Sequence, residues 1–253
     1  MQYRIIVTSS KGGVGKSTTA SCLALCLGER QKRVLLCDLD LGTRCLDMFL
    51  GAEDKAVCDF GDVYAGRVTP ERALIECAPG VSFCPSSLSL DARSLEPERT
   101  ADTLRALADA ANADFVICDT SGTAVPQCLA GWANLGLICS TQQPAAIRGA
   151  ETAASLLRRE GLSVVRLIIT EFEYRAAAKH IRSGILDVID SSLVRALGAV
   201  PYDRELFIAQ ESGKMPERDN PARQAYANIA ARLCGEERKL FYGVGGYKVK
   251  KAL

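Results

Sequence analysis

Short unbroken apolar runs alternate along the chain with longer stretches in which apolar residues recur every three or four positions. The runs fall at 4–8, 33–37, 81–84, 115–118, 135–140, 164–170 and 197–200. Runs this short, bounded by turn residues, predict strands buried on both faces of a parallel sheet. The amphipathic stretches at 17–30, 70–76, 99–111, 148–160, 176–189 and 221–233 predict helices. At Thr69-Pro70-Glu71 a capping hydroxyl, a proline at the first position and an acid in the first turn mark a helix start. Strand and helix alternate throughout, which predicts an α/β fold, a doubly wound and mostly parallel sheet with helices on both faces. Ligands of such sheets bind at the carboxyl ends of the strands, so the loops after residues 8, 38 and 119 should meet there. No repeat or linker divides the chain, and residues 1–237 predict one domain followed by a tail at 238–253.

Composition adds limits. With 253 residues, 48% hydrophobic and 24% charged, the chain can bury a substantial core. A net charge of +1 supplies no global case for DNA binding, so any basic patch must be local. No run approaches the roughly 18 apolar residues of a membrane span, and Met1–Arg4 leads straight into a strand, so neither a membrane span nor a signal peptide is expected. A cytoplasmic location follows. The eleven cysteines include no C-x-x-C pair, and most are expected to be small buried hydrophobes in a reducing compartment. A metal or iron–sulfur site built from some of them, Cys128 among the candidates, is the alternative. His180 is the sole histidine, which argues against histidine-based catalysis.

The tail differs from the rest. Arg238, Lys239, Lys248, Lys250 and Lys251 stand without an acid among Leu240, Phe241, Tyr242, Val244, Tyr247 and Val249. That composition suits peripheral contact with an anionic membrane. Gly243, Gly245 and Gly246 oppose a stable amphipathic helix, which leaves a solvated tail as the other reading.

The most specific chemistry lies at Ser10-Lys-Gly-Gly-Val-Gly-Lys-Ser-Thr18, between the first strand and the first helix. Gly15, Lys16 and Ser17 fit the phosphate-binding loop, although Ser10 stands where its first glycine belongs. Gly12, Gly13 and Gly15 allow backbone N–H groups, including those of Val14 and Thr18, to converge on phosphate oxygens. Lys16 would neutralise the β- and γ-phosphates, Ser17 would coordinate Mg²⁺, and the helix adds its positive end. A dinucleotide fold is the rival: Gly13-x-Gly15-x-x-Thr18 falls one glycine short of its fingerprint, with Asp38 about 20 residues on. Lys16-Ser17 has no role in that scheme. The reading is a P-loop NTPase that binds a nucleoside triphosphate.

Hydrolysis also needs a metal and an oriented water. Asp38-Leu39-Asp40 ends the second predicted strand, with spacing that suits one acid near Mg²⁺ and one on the attacking water. Asp119 follows the run 115–118, an apolar strand ending in an acid that can reach Mg²⁺.

Lys11-Gly-Gly-Val-Gly-Lys-Ser-Thr18 resembles the deviant phosphate loop of the MinD/ParA class of ATPases. The likeness extends through Asp38-Leu-Asp-Leu-Gly-Thr-Arg-Cys-Leu-Asp-Met-Phe-Leu-Gly51, where it is greatest to the septum-placing branch. It continues in Val57–Phe60, Ala73–Ile75, Gly198–Asp203 and Ala225–Ala227, so it covers nearly the whole chain. The resemblance implies a slow ATP hydrolase that dimerises when ATP binds and regulates division-site placement, with a regulatory protein partner. It implies that Lys11 of each subunit reaches the other's phosphates, that Asp40 positions the hydrolytic water, and that Asp38 and Asp119 serve Mg²⁺. It places Thr170 with Glu171, and Pro201, Tyr202 and Asp203, around adenine. A ParA-like cargo or DNA-partitioning ATPase and an iron–sulfur assembly ATPase are the alternatives within the class. Cys45 replaces the usual Asn, the loop Thr120-Ser121-Gly122-Thr123 replaces a Ser-Pro-Ala-Gly type, and Thr170-Glu171 lacks the common Asn-Arg pair.

Overall fold

A computed structural model describes residues 2–120, 122 and 124–238. Apart from Arg238, the tail lies outside the described residues, and so do Ser121 and Thr123. Eight strands form one sheet: β1 Tyr3–Thr8, β2 Val34–Leu39, β3 Ile75–Ala78, β4 Val81–Cys84, β5 Phe115–Thr120, β6 Leu135–Ser140, β7 Val165–Phe172 and β8 Ala196–Pro201. Their order is β3-β4-β2-β5-β1-β6-β7-β8, parallel throughout except for the antiparallel β3–β4 pair. The doubly wound fold expected from the sequence is therefore present. β2, β5 and β6 are buried along their whole length, as the apolar runs that make up most of each strand require.

Two cores flank the sheet, because successive side chains of a strand point to opposite faces. Ile5 and Val7 join the core under α1 Lys16–Gly28 and α10 Pro221–Leu233; Ile6 joins the other. That second face is covered by α4 Pro97–Ala110 and α6 Pro144–Arg159, with the short α3 Phe60–Tyr64 and α5 Ala124–Leu129. α10 begins where expected because Asn220 caps it, its side-chain oxygen accepting from Ala222 and Arg223 N–H at 3.0 Å each.

The expected helix at 70–76 is corrected. A single 3₁₀ turn, Pro70–Ala73, gives way to β3, which turns back into β4 at Pro79-Gly80. The helix-start signal is obeyed for one turn, and Ile75 then pairs with Phe83. Gly80 (φ 76°) makes the hairpin possible, since a Cβ there would lie 2.8 Å from the Lys32 carbonyl oxygen. The expected helix at 176–189 divides into α7 Tyr174–Ala178 and α8 Ile185–Ser192. Gly184 starts α8, its N–H donating to Asp187 Oδ2 at 2.7 Å, and His180 in the break has φ 57°. The short helices α3 and α5, together with α2 Leu46–Phe49 and α9 Arg204–Glu211, have no counterpart among the expected elements. At four to eight residues they carry little periodic signal.

β1 occupies the middle of the order, with β5 on one side and β6 on the other. The sheet winds in opposite directions from this point, so a crevice opens at its carboxyl edge.

Candidate functional site

The loop leaving β1 passes Ser9 and Ser10 and enters α1 at Lys16. Gly13 (φ 68°) and Gly15 (φ 75°) both hold left-handed conformations that disfavour any side chain. A Cβ on Gly12 or Gly13 would meet nothing within 4 Å, so their bare backbone borders open space. Val14 turns inward and its side chain is fully buried. Its carbonyl accepts from the Thr170 hydroxyl at 2.8 Å, which pins the loop to β7. The cleft above has a volume of about 620 Å³, and Lys11, Lys16, Ser17, Thr18, Asp40 and Gly122 all line it. A glycine cradle of this kind, at a helix start, fits a phosphate chain.

Asp38 and Asp119 belong to the strands and not to the loops after them. They are Cα partners in the β2–β5 register, each 1% exposed. Burial pushes Asp119 up to about 7; the Ser17 hydroxyl and the Lys16 ammonium oppose the shift, and Asp38 and Asp40 add to it. Its Oδ1 is buried without a hydrogen-bond partner. An orphaned carboxylate oxygen beside a serine hydroxyl suits a hard cation such as Mg²⁺. Among the described residues no three His, Cys, Asp or Glu side chains are grouped to hold a metal unaided. The remaining ligands would therefore be Ser17, phosphate and water.

Asp38 has a second task. Its Oδ1 accepts from the Asp40 N–H at 3.0 Å and its Oδ2 from the Leu46 N–H at 3.3 Å. Both ends of the loop after β2 are thus tied to one carboxylate. Burial raises Asp38 to about 6, against the backbone donors that favour its charge. Asp40 is held at three atoms: its N–H by Asp38, its carbonyl by the Ser86 hydroxyl at 3.1 Å, and its Oδ1 by the Thr43 hydroxyl at 3.3 Å. Cys45 is half-buried in the same loop, its thiol 3.9 Å from the Thr43 carbonyl.

Lys11 stands at the rim. Its ammonium donates to Gln143 Oε1 at 2.6 Å, and Gln143 is the residue just before the first turn of α6. A Cβ on Gly149 would lie 3.5 Å from Lys11 Cβ, so the lysine stem runs along that helix.

Thr170, Pro201 and Asp203 meet beside Gly15 and Thr18 in a narrow crevice that Glu171 also lines. Tyr202 is not brought into it. The residue is 55% exposed, and its ring lies 5.7 Å from that of Phe207. Asp203 accepts from the Leu206 N–H at 3.0 Å and so caps α9. From α9, Gln210 reaches back to the loop, its Oε1 accepting from the Thr18 hydroxyl at 3.1 Å.

Sequence reasoning missed Ser86, Thr43, Gln143 and Gln210 as neighbours of the site. Ser86 had one available signal, since it follows β4 and must emerge at the carboxyl edge beside β2. Cys37 is flanked in register by Cys84 and Cys118, all three fully buried. Cys128 is half-buried and faces the Thr100 hydroxyl at 3.6 Å.

Residues 5–217 match the family described as the CobQ/CobB/MinD/ParA nucleotide binding domain. The septum site-determining protein MinD of Helicobacter pylori is 30% identical, over 94% of this chain and 92% of its own length. The MinD of Bacillus subtilis is 30% identical over 93% and 90%. Among solved structures, the MinC:MinD cell division protein complex of Aquifex aeolicus superimposes with a TM-score of 0.86 at 26% identity, covering 94% of this chain and 99% of that one. The septum site-determining protein MinD of Pyrococcus horikoshii, complexed with Mg-ADP, shares the fold at TM-score 0.79 and 21% identity, over 92% and 96%.

Proposed function

The chain belongs to the MinD/ParA family of nucleotide-binding proteins, most similar to its MinD members, and we propose that it is a MinD-like ATPase that switches between monomer and ATP-bound dimer to regulate division-site placement. The observation that carries this reading is the unpartnered Asp119 Oδ1 beside Ser17 and Lys16, the end of a loop whose Gly12 and Gly13 face open space.

In this reading the N–H groups of residues 12–18 hold the phosphates and Lys16 offsets their charge. Mg²⁺, when bound, would be held by Ser17 and Asp119 with Asp38 nearby, and would supply neutralisation of charge on the phosphate chain. Asp40 orients a water whose oxygen attacks the γ-phosphorus. The bond to the bridging oxygen breaks, its electron pair leaves with ADP, and the water's proton ends on inorganic phosphate. Lys11 of the partner subunit adds a second cation where charge develops in the transition state. Thr170, Pro201 and Asp203 border the base, and Tyr202 sits outside that border unless the 201–203 segment moves.

A regulatory protein partner is part of the proposal, in line with the MinC:MinD complex of the Aquifex relative. So is action in the cytoplasm, with peripheral contact of the basic tail at 238–253 on an anionic membrane. No helix among the described residues is long and apolar enough to cross one. The test is ATP hydrolysis by the purified full-length protein with Mg²⁺. Turnover lost in Lys16→Ala supports the reading, and turnover unchanged in that variant sinks it.

A further inference from the structure

The segment after β4, Pro85–Ser89, is joined to the Asp40 loop by two hydrogen bonds. The Ser86 hydroxyl donates to the Asp40 carbonyl at 3.1 Å, and the Gly42 N–H donates to the Ser87 carbonyl at 3.2 Å. Both serines are 0% exposed. The segment cannot retreat, because α3 closes it from behind. The Phe60 N–H donates to the Pro85 carbonyl at 3.0 Å, and a Cβ on Gly61 would lie 2.4 Å from Ser87 Oγ. A fully buried hydroxyl whose one acceptor is the backbone of Asp40 is therefore fixed on a rigid wall.

We infer that Ser86 is a positioning residue for hydrolysis, fixing the Asp40 backbone so that the carboxylate is aimed before the water arrives. This rests on the reading of Asp40 as the acid that orients the water. The physical basis is that misplacing a reacting group by a fraction of an ångström slows the chemical step while leaving binding intact. Asp38, near the end of β2, and Thr43, inside the loop, hold the other two atoms of Asp40, and the Thr43 N–H also reaches its carbonyl at 3.2 Å. Ser86 adds a hold from the segment after β4, an element apart from both β2 and the loop that follows it.

The test compares full-length Ser86→Ala with the parent protein in steady-state ATP hydrolysis with Mg²⁺. Loss of one such hydrogen bond is expected to lower kcat about three- to tenfold, with KM and the affinity for a fluorescent ATP analogue unchanged. Ser86→Cys, similar in size with a weaker donor, should fall between the two, and it carries the test if the alanine variant does not fold. Parental kcat in Ser86→Ala, or in Ser86→Cys where that variant alone folds, overturns the inference. So does a parallel loss of nucleotide affinity, which would mean general loosening of the site. Asp40→Ala separates the two claims. If it turns over normally, the reading of Asp40 fails and takes the inference with it; if it is inactive while Ser86→Ala is normal, only the inference fails.

Discussion

The Lys11 ammonium is bound within its own subunit, donating to the side-chain oxygen of Gln143 at 2.6 Å. In the lone chain this cation is therefore engaged at the rim of the cleft by the residue that opens α6. Reaching a second subunit's phosphate requires exchanging a neutral acceptor for an anionic one, which adds coulombic attraction to the ammonium's hydrogen bond.

Gln143→Glu should reverse that preference. A carboxylate at 143 would hold Lys11 as an ion pair, so the ATP-dependent dimer should need a severalfold higher protein concentration, by about 1 kcal/mol of added attraction. Sedimentation velocity across a protein dilution series reads this directly. A dimer as tight as the parent's would show that Lys11 does not have to leave Gln143.

Asp40→Ala should retain ATP and remain dimeric, because the acid that orients the water is removed while the phosphate cradle is intact. Turnover should fall by about a hundredfold or more, as for loss of a general-base-type group. Quenched reactions analysed for bound ATP against ADP would reveal the trapped substrate. Normal ADP formation would count against the assignment.

The buried acids make a pH prediction for the metal-free protein. Burial raises Asp119 from 3.8 to about 7, so the folded state binds a proton more tightly than the unfolded state. Stability from this proton is fully present below about pH 4 and is lost as pH rises through about 7. Asp119→Asn cannot lose it. Relative to the parent, the metal-free variant should therefore gain melting temperature as pH rises across that window, while losing the stabilisation that Mg²⁺ and nucleotide give together. A pH-independent difference between the two proteins would contradict the shift.

Much of this site was legible because its chemistry is local in sequence. Residues 10–18 carry their own spacing, and Asp38 and Asp119 close apolar runs that had to be central strands. Contacts between distant segments were not legible. Gln143 is 132 residues from Lys11, and Gln210 is 192 from Thr18. Nothing in the composition around them marks those pairings. The fold followed the same division. Parallel strands showed as unbroken apolar runs, whereas β3 was hidden behind a genuine helix-start signal at Thr69-Pro70 and was decided by pairing with β4. Asp203 shows a further limit, for an acid expected at the base also caps α9.

The central claim is that Lys11 couples nucleotide to assembly, and multi-angle light scattering of the full-length protein tests it most directly. With ATP and Mg²⁺ the parent should have the mass of a dimer and with ADP that of a monomer. Lys11→Ala should stay monomeric with both, while still binding a fluorescent ATP analogue with near-parental affinity. A stable ATP-dependent dimer of Lys11→Ala would contradict the account.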